Sequence, residues 1–287
     1  MFRIALLLLF LSSPAKALDF FGYVGVMCDF DDPLDDTNLT DYSAEVAGFT
    51  NINHVCLPAD PADWADRIKQ ANVQFRPLLS VEGAFDFARA GPDGPESRTI
   101  WPMVRDAVIA SAVDPARITF YLVDEPTLRG IDPVAVDRAA AIIRADFPTA
   151  DVLLVEACSM DGPPPIAPHL TLWGFDCYTF ADPGQSPQFI AYLDLVKRRL
   201  GPDQRLVLVM DANHTEYHAA AGIALTDMGN VARAYAALAL SRPEVAGMLG
   251  YTWAGGIDSL TELGVRDMPQ AVIDAHREVG KMLLGLK

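Results

Sequence analysis

The chain has 287 residues, with 22 Lys and Arg against 38 Asp and Glu, and its formal net charge is −16. Nucleic acid and anionic membrane surfaces are disfavoured as partners, because both would repel so acidic a chain. Neutral or cationic ligands are easier to accommodate, although a large acidic surplus can also serve solubility alone.

The first residues have the composition of an export signal. Arg3 precedes an apolar run over 4–11, and the small residues end in Ala15-Lys16-Ala17, which resembles a signal peptidase site. The run is too short for a membrane helix, and no later stretch reaches the roughly 18 to 20 apolar residues required. We therefore predict a signal peptide over 1–17 and a periplasmic or secreted mature domain over 18–287, not embedded in a membrane.

From residue 19 onward, β-rich runs alternate with amphipathic segments. Strands are predicted at 22–27, 53–57, 74–80, 118–124, 151–156, 170–176, 206–211 and 248–253. Helices are predicted at 42–48, 62–71, 101–113, 134–145, 188–200, about 226–240 and 269–284. Three of them follow a capping residue and a first-turn proline, at Asp60-Pro61, Asp132-Pro133 and Ser186-Pro187. Such alternation implies a parallel sheet, which closes most economically into a single (β/α)8 TIM barrel, a fold of about 250 residues.

The fourth predicted strand ends in three residues that suggest chemistry. Its apolar run from Ile118 leads directly into Asp124, Glu125 and Pro126. Pro126 cannot donate to a sheet, so pairing should stop there and leave both acids at the carboxyl end of the strand. That end is the reactive face of α/β barrels. The alternative is an ordinary helix cap followed by a solvated glutamate.

Other predicted strands also end in polar or aromatic residues. They supply Glu82 after the third strand, Glu156 after the fifth, Asp176 and Tyr178 at the sixth, Asp211 at the seventh and Trp253 on the eighth. We treat Glu82, Glu156, Asp176 and Tyr178 as candidate substrate-binding residues. Acids grouped at one mouth would raise one another's pKa values, which keeps a carboxylic acid protonated near neutral pH.

This order of strand ends resembles the glycoside hydrolases built on (β/α)8 barrels, particularly their large retaining clan. The resemblance implies that Glu125 is the general acid/base, Asp211 the nucleophile, Asp124 a contact to a sugar hydroxyl and Trp253 the aromatic floor of the sugar site. That clan usually has Asn-Glu-Pro on strand four and Glu on strand seven, where this chain has Asp124-Glu125-Pro126 and Asp211.

The mechanism stays open at this point. Cleavage of a glycosidic bond requires one carboxylic acid and one carboxylate, about 5 Å apart for retention and 6.5 to 9.5 Å apart for inversion. The pair Asp124-Glu125 also resembles the acid pair of hexosaminidases, in which the acetamide of the substrate is the nucleophile. The expected function is an exported hydrolase of a polysaccharide or oligosaccharide.

Two other functions are compatible with the sequence. The first is a silent barrel that only binds glycans or a protein partner. The second is a metal-dependent hydrolase, because His214 and His218 are four residues apart and could bind a metal together with Asp211. We favour the hydrolase without a metal or other cofactor, since a single further histidine, His54, lies on a predicted strand.

Four cysteines allow three pairings into two disulfides. In the barrel order, Cys28 and Cys56 close strands one and two, whereas Cys158 and Cys177 close strands five and six. Adjacent strands lie about 4.8 Å apart, within the roughly 4.4 to 6.8 Å that a disulfide accepts between Cα atoms. We therefore predict Cys28–Cys56 and Cys158–Cys177, with four buried free thiols as the alternative.

Overall fold

The computed structural model describes residues 17–159 and 162–286. The predicted signal peptide therefore lies almost entirely outside the described residues. Eight parallel strands form one sheet in the order β1-β8-β7-β6-β5-β4-β3-β2. They are β1 Phe20–Tyr23, β2 Ile52–Val55, β3 Arg76–Ser80, β4 Thr119–Asp124, β5 Asp151–Ala157, β6 Leu172–Asp176, β7 Arg205–Asp211 and β8 Val245–Tyr251. The predicted single (β/α)8 barrel is confirmed.

Backbone contact between β1 and β2 brings the two ends of the sheet together. The amide of Asn51 donates to the carbonyl of Phe21 at 3.0 Å, and Met27 forms a parallel bridge with Val55. Gly22 makes the approach possible, because a Cβ atom there would lie 1.5 Å from the carbonyl oxygen of Ile52. A side chain at this position would force the sheet open.

Helices cover the outside of the sheet. They are α1 Ser43–Val46, α2 Trp64–Gln74, α3 Pro95–Ser111, α4 Pro133–Asp146, α5 Pro187–Arg199, α6 Glu216–Ala220, α7 Met228–Ser241 and α8 Gln270–Leu283. The predicted caps form: Asp132 accepts from the amide of Val134, and Ser186 accepts from the amide of Phe189. None of the described helices is long and apolar enough to cross a membrane.

Two layers of apolar side chains hold the barrel. Inside it, a small cluster that includes Phe20, Leu78, Leu153 and Val207 fills the space between the strands. A larger cluster lies between the sheet and the helices. Because the strands are buried on both faces, they have the nearly continuous apolar runs that the sequence shows.

Both disulfides join neighbouring strands at their carboxyl ends. Cys28 is bonded to Cys56 with 4.4 Å between Cα atoms, and Cys158 is bonded to Cys177 with 5.4 Å. These are the two pairs that the strand order predicts, so no described cysteine is left as a free thiol. Disulfides of this kind form and persist in oxidising compartments.

Candidate active site

A cleft of about 300 Å³ opens at the carboxyl ends of the strands. Its lining is rich in acids and aromatic rings, and comprises Val24, His54, Ser80, Glu82, Tyr121, Asp124, Glu125, Val155, Asp176, Tyr178, Val209, Tyr251, Ile257 and Asp258. The volume lies at the lower end of the range of about 300 to 1,000 Å³ for ligand pockets. Five of the lining residues are acidic, and four of them come from the sequence predictions.

Glu125 lies one residue beyond the end of β4. Its amide donates to the carbonyl of Val155 at 2.8 Å, and its φ of 43° falls in the left-handed region. For a residue with a Cβ atom this conformation costs on the order of 1 to 3 kcal/mol, and such residues cluster at functional sites. Burial, followed by the charges of Asp124 and Asp258, raises the pKa of the half-buried Glu125 carboxyl.

Asp124 is held by a phenol. The Tyr121 hydroxyl donates to Asp124 Oδ1 at 2.5 Å. The Asp124 residue is exposed to solvent. Desolvation of its carboxyl group by nearby protein atoms and the negative charge of Glu82 raise its pKa, whereas the hydrogen bond from Tyr121 lowers it. Arg129 donates to the carbonyl of Asp124 at 2.9 Å and forms an ion pair with Glu82. The guanidinium therefore fixes the loop that begins at Glu125.

Asp176 lies deeper in the cleft, at the end of β6, with 7% of its surface exposed. The Tyr178 hydroxyl donates to its Oδ2 at 3.0 Å. Burial raises the pKa of Asp176 to about 8, and the charges of Glu125 and Asp124 act in the same direction. A carboxyl group with this pKa remains largely protonated at neutral pH.

Two tyrosines form an aromatic wall beside these acids. The rings of Tyr178 and Tyr251 lie 5.9 Å apart at a tilt of 35°. A hydrogen bond joins the Tyr251 side chain to Asp258. Rings with a polar edge suit a sugar, which presents an apolar face and a rim of hydroxyl groups.

His54 lines the cleft as a neutral group. Burial lowers its pKa to about 4, and its Nδ1 accepts from the amide of Gly25 at 3.3 Å. Its ring lies 3.5 Å from the Cys28 sulfur and 3.9 Å from the Cys56 sulfur. Among the described residues, this is the one group with metal-ligand spacing, but its two sulfurs are joined in a disulfide and do not offer thiolates.

The structure places Asp211 behind the cleft instead of in its lining. Asp211 has no exposed surface, and its Oδ2 accepts from the amide of Thr179 at 2.8 Å. His218 Nε2 lies 2.9 and 3.0 Å from its two oxygens. Because His218 Nδ1 accepts from the amide of Thr215, Nε2 carries the proton and donates to Asp211. With both oxygens engaged, Asp211 is poorly placed to attack a sugar.

Trp253 does not form the expected floor. Strand β8 ends at Tyr251. Residue 253 therefore lies outside the strand, and the alternation of side chains along the strand does not turn it into the cleft. The Trp253 side chain is 1% exposed, packs at 5.2 Å from the ring of Tyr23 and donates from Nε1 to Glu45 at 2.6 Å. Tyr251 provides the ring on this side of the cleft.

Glu156 is also placed outside the cleft lining. It is 2% exposed and accepts from the amide and the hydroxyl of Thr127 at 3.2 and 2.8 Å. Its role is to anchor the loop after Glu125. The histidines expected as possible ligands are engaged as well, since His214 Nε2 lies 3.2 Å from the carbonyl of Ile223 and His218 bonds to Asp211.

Several residues in the cleft or beside it are not among the sequence predictions. Tyr121 is inside the predicted fourth strand, but its apolar neighbours gave no reason to separate it from the core. Asp258 and Arg129 lie in loops, where a charged residue is ordinarily solvated. For Tyr251 the sequence gives an indication, because it lies two residues before Trp253 in the predicted strand 248–253 and therefore on the same predicted face.

No family model and no curated protein matches the chain. Solved structures do resemble it. A GH113 β-1,4-mannanase superposes with a TM-score of 0.57 at 13% identity, covering 93% of this chain and 99% of that one. An Anoxybacillus α-amylase gives 0.60 at 11% identity over 93% and 79% of the two chains. Xylanase 10B from Thermotoga maritima gives 0.52 at 10% identity over 93% and 96%. The chain therefore shares the (β/α)8-barrel fold of these three hydrolases.

Proposed function

We propose that the protein is a glycoside hydrolase whose catalytic pair is Glu125 and Asp176. The observation that carries this proposal is that the two acids line one cleft, from the ends of β4 and β6 on either side of β5, and that the charge of Glu125 contributes to the raised pKa of Asp176. Two acids coupled in this way titrate as a pair, and the form that holds one proton contains one carboxylic acid and one carboxylate. One acid and one carboxylate are what glycoside cleavage requires.

In the proposed mechanism, Glu125 is the general acid. It is half-buried at the cleft, so the oxygen that joins two sugars can reach its carboxyl group. The reactive form is the one in which Glu125 holds the proton and Asp176 is ionised. Protonation of Glu125 removes one of the charges that raise the pKa of Asp176, and burial remains the larger cause. Glu125 protonates the glycosidic oxygen as the bond to the anomeric carbon breaks. Asp176 either takes a proton from the attacking water or attacks the anomeric carbon itself, in which case Glu125 then deprotonates the water that releases the sugar.

The remaining cleft residues position the substrate in this proposal. Asp124, Tyr178 and Glu82 offer hydrogen bonds to sugar hydroxyl groups, and Tyr251 supplies stacking area. Asp211 supports the site from behind by holding the amide of Thr179, next to Tyr178. Asp211 is not the nucleophile in this proposal, because it has no exposed surface and does not line the cleft.

The charge of the cleft favours neutral or cationic sugars over anionic ones. Five acids line it, the one histidine is neutral, and uronic acids or sulfated sugars would be repelled. We further propose that the protein acts in the periplasm or outside the cell, which both disulfides support.

Release of reducing ends from a panel of neutral, amino and acidic polysaccharides tests the proposal. Glu125→Gln and Asp176→Asn should each lower kcat at least 1,000-fold, because each removes a proton donor or acceptor with little change of volume. Asp203→Asn, at an exposed turn, is the control. Azide should restore activity to the variant that lacks the attacking or water-activating carboxylate. Full activity of both variants would refute the pair.

A further inference from the structure

A second hollow of about 440 Å³ adjoins the cleft. The two share Ser80 and Glu82 in their linings. The other residues of this second hollow, which we name the loop hollow, are Gly83, Asp86, Phe87, Ala88, Glu96 and Arg129. All but Arg129 belong to the segment between β3 and α3 or to the first turns of α3. The hollow therefore continues the cleft sideways, away from Asp176.

Phe87 gives the loop hollow a fixed aromatic surface. It is only partly buried, so part of the ring remains available to a ligand. Its ring lies 6.1 Å from the ring of Phe85, which is fully buried and stacks on Trp101 at 5.3 Å. A ring supported from behind in this way has little freedom to lose when a sugar packs on it.

Hydrogen-bonding groups surround that ring. The carboxyl groups of Glu82, Asp86 and Glu96 and the guanidinium of Arg129 line the hollow. Arg129 is the one cationic side chain among the described residues that line either hollow, and Glu82 neutralises it. Carboxylates accept from the vicinal hydroxyl groups of a sugar, and an aromatic ring covers its apolar face.

We propose that the loop hollow is a second sugar-binding subsite, which holds a further unit of the same oligosaccharide that the cleft cleaves. This inference rests on the proposed function. Continuity through Ser80 and Glu82 identifies the occupant, because a chain that leaves the cleft past Glu82 enters the loop hollow. The enzyme then prefers chains of several sugars over disaccharides, and the unit on Phe87 is neutral or carries a protonated amine.

Gly83 offers a way to block the loop hollow without disturbing the fold. A Cβ atom at this position would meet no atom within 4 Å, and its φ is not in the left-handed region. Gly83→Leu should therefore fill the hollow without strain, and Gly83→Ala should fill it much less. Phe87→Ala removes the ring instead. Ile109→Ala, at a side chain 63% exposed on α3, is the matched control.

The measurement is kcat/KM for manno-, xylo- and chitosan oligosaccharides of two and six units. In the wild type, the six-unit chain of the preferred sugar should exceed the two-unit chain at least 10-fold. Phe87→Ala should reduce that ratio about 5-fold, the scale of one lost stacking contact, and Gly83→Leu should reduce it further. An unchanged ratio in both variants, with hydrolysis still dependent on Glu125, would overturn the subsite and leave the proposed function intact.

Calorimetric titration tests the subsite in the case where the proposed function fails. If the wild type cleaves neither the polysaccharide panel nor these oligosaccharides, the proposed function fails, and binding of the six-unit chains then tests the subsite. Binding weakened at least 5-fold by Gly83→Leu would support the subsite, whereas equal binding to the wild type and this variant, or no binding to either, would overturn it.

Discussion

Replacing Asp176 by Asn should make the folded protein more stable, because burial of the ionised Asp176 carboxyl group costs free energy in the native state. The folded pKa is about 8, compared with an ordinary value of 3.8. The unfolded chain thus releases the proton at a much lower pH than the folded chain does. The substitution removes that difference, and the new amide oxygen can still accept from the hydroxyl of Tyr178.

The direction in which the stability of the wild type changes with pH follows from proton binding. Below pH 4, both states bind the proton and the carboxyl group contributes no difference. Between pH 4 and pH 8 the folded state binds more protons than the unfolded state, so the stability of the wild type falls as pH rises. Above pH 8 the loss is complete. At about 1.4 kcal/mol per pKa unit, the upper bound is about 6 kcal/mol.

The measured gain should be smaller than this bound. Water in the cleft and local relaxation reduce the cost of burying a charge, so we expect Asp176→Asn to add about 2 to 3 kcal/mol at pH 8. That corresponds to a rise in Tm of about 5 °C or more. Thermal unfolding of both proteins from pH 4 to pH 9 makes the measurement, with Asp203→Asn as the control expected to change stability by less than about 0.5 kcal/mol. A difference in Tm that does not grow with pH would refute the reasoning.

Asp124→Asn should move the alkaline limb of the pH–activity profile to lower pH, because removing the negative charge of Asp124 lowers the pKa of Asp176. An alkaline limb at the same or a higher pH would contradict the proposed coupling. Asp211→Asn should lower the free energy of unfolding by about 1 to 3 kcal/mol, because the new NH2 group must face a donor, either the imidazole N–H of His218 or the amide of Thr179. Denaturant unfolding measures this change, and a gain in stability would contradict the hydrogen-bond assignment. Loss of the Cys28–Cys56 disulfide in the double Ser variant should cost about 3.6 kcal/mol for its 28-residue separation, and an unchanged Tm relative to the wild type would argue against this bond.

The sequence by itself determined the architecture. Strands that are buried on both faces have apolar runs, and capping residues before prolines mark where helices begin. Each pattern lies within a short stretch of sequence, so it can be recognised without the structure. The fold then followed from the alternation of these elements. Even the disulfide partners could be chosen, because neighbouring strands in a barrel bring consecutive cysteines to bonding distance. The placement of Glu125 at the reactive end of β4 had the same origin.

Tertiary structure alone decided which strand-end residues reach the cleft. In the sequence, Asp211 and Asp176 each end a strand. In the structure, His218 of α6 covers Asp211, whereas Asp176 lines the cleft. The sequence places Trp253 in the cleft because the predicted eighth strand runs to residue 253 and its final Trp resembles that of barrel glycoside hydrolases, whereas β8 ends at Tyr251. The wall and rim residues Tyr251, Asp258 and Arg129 gather only when loops from different strands meet. Such contacts depend on the path of the chain between strands, which no short stretch of sequence encodes, because the interactions that fix it join residues far apart in the chain.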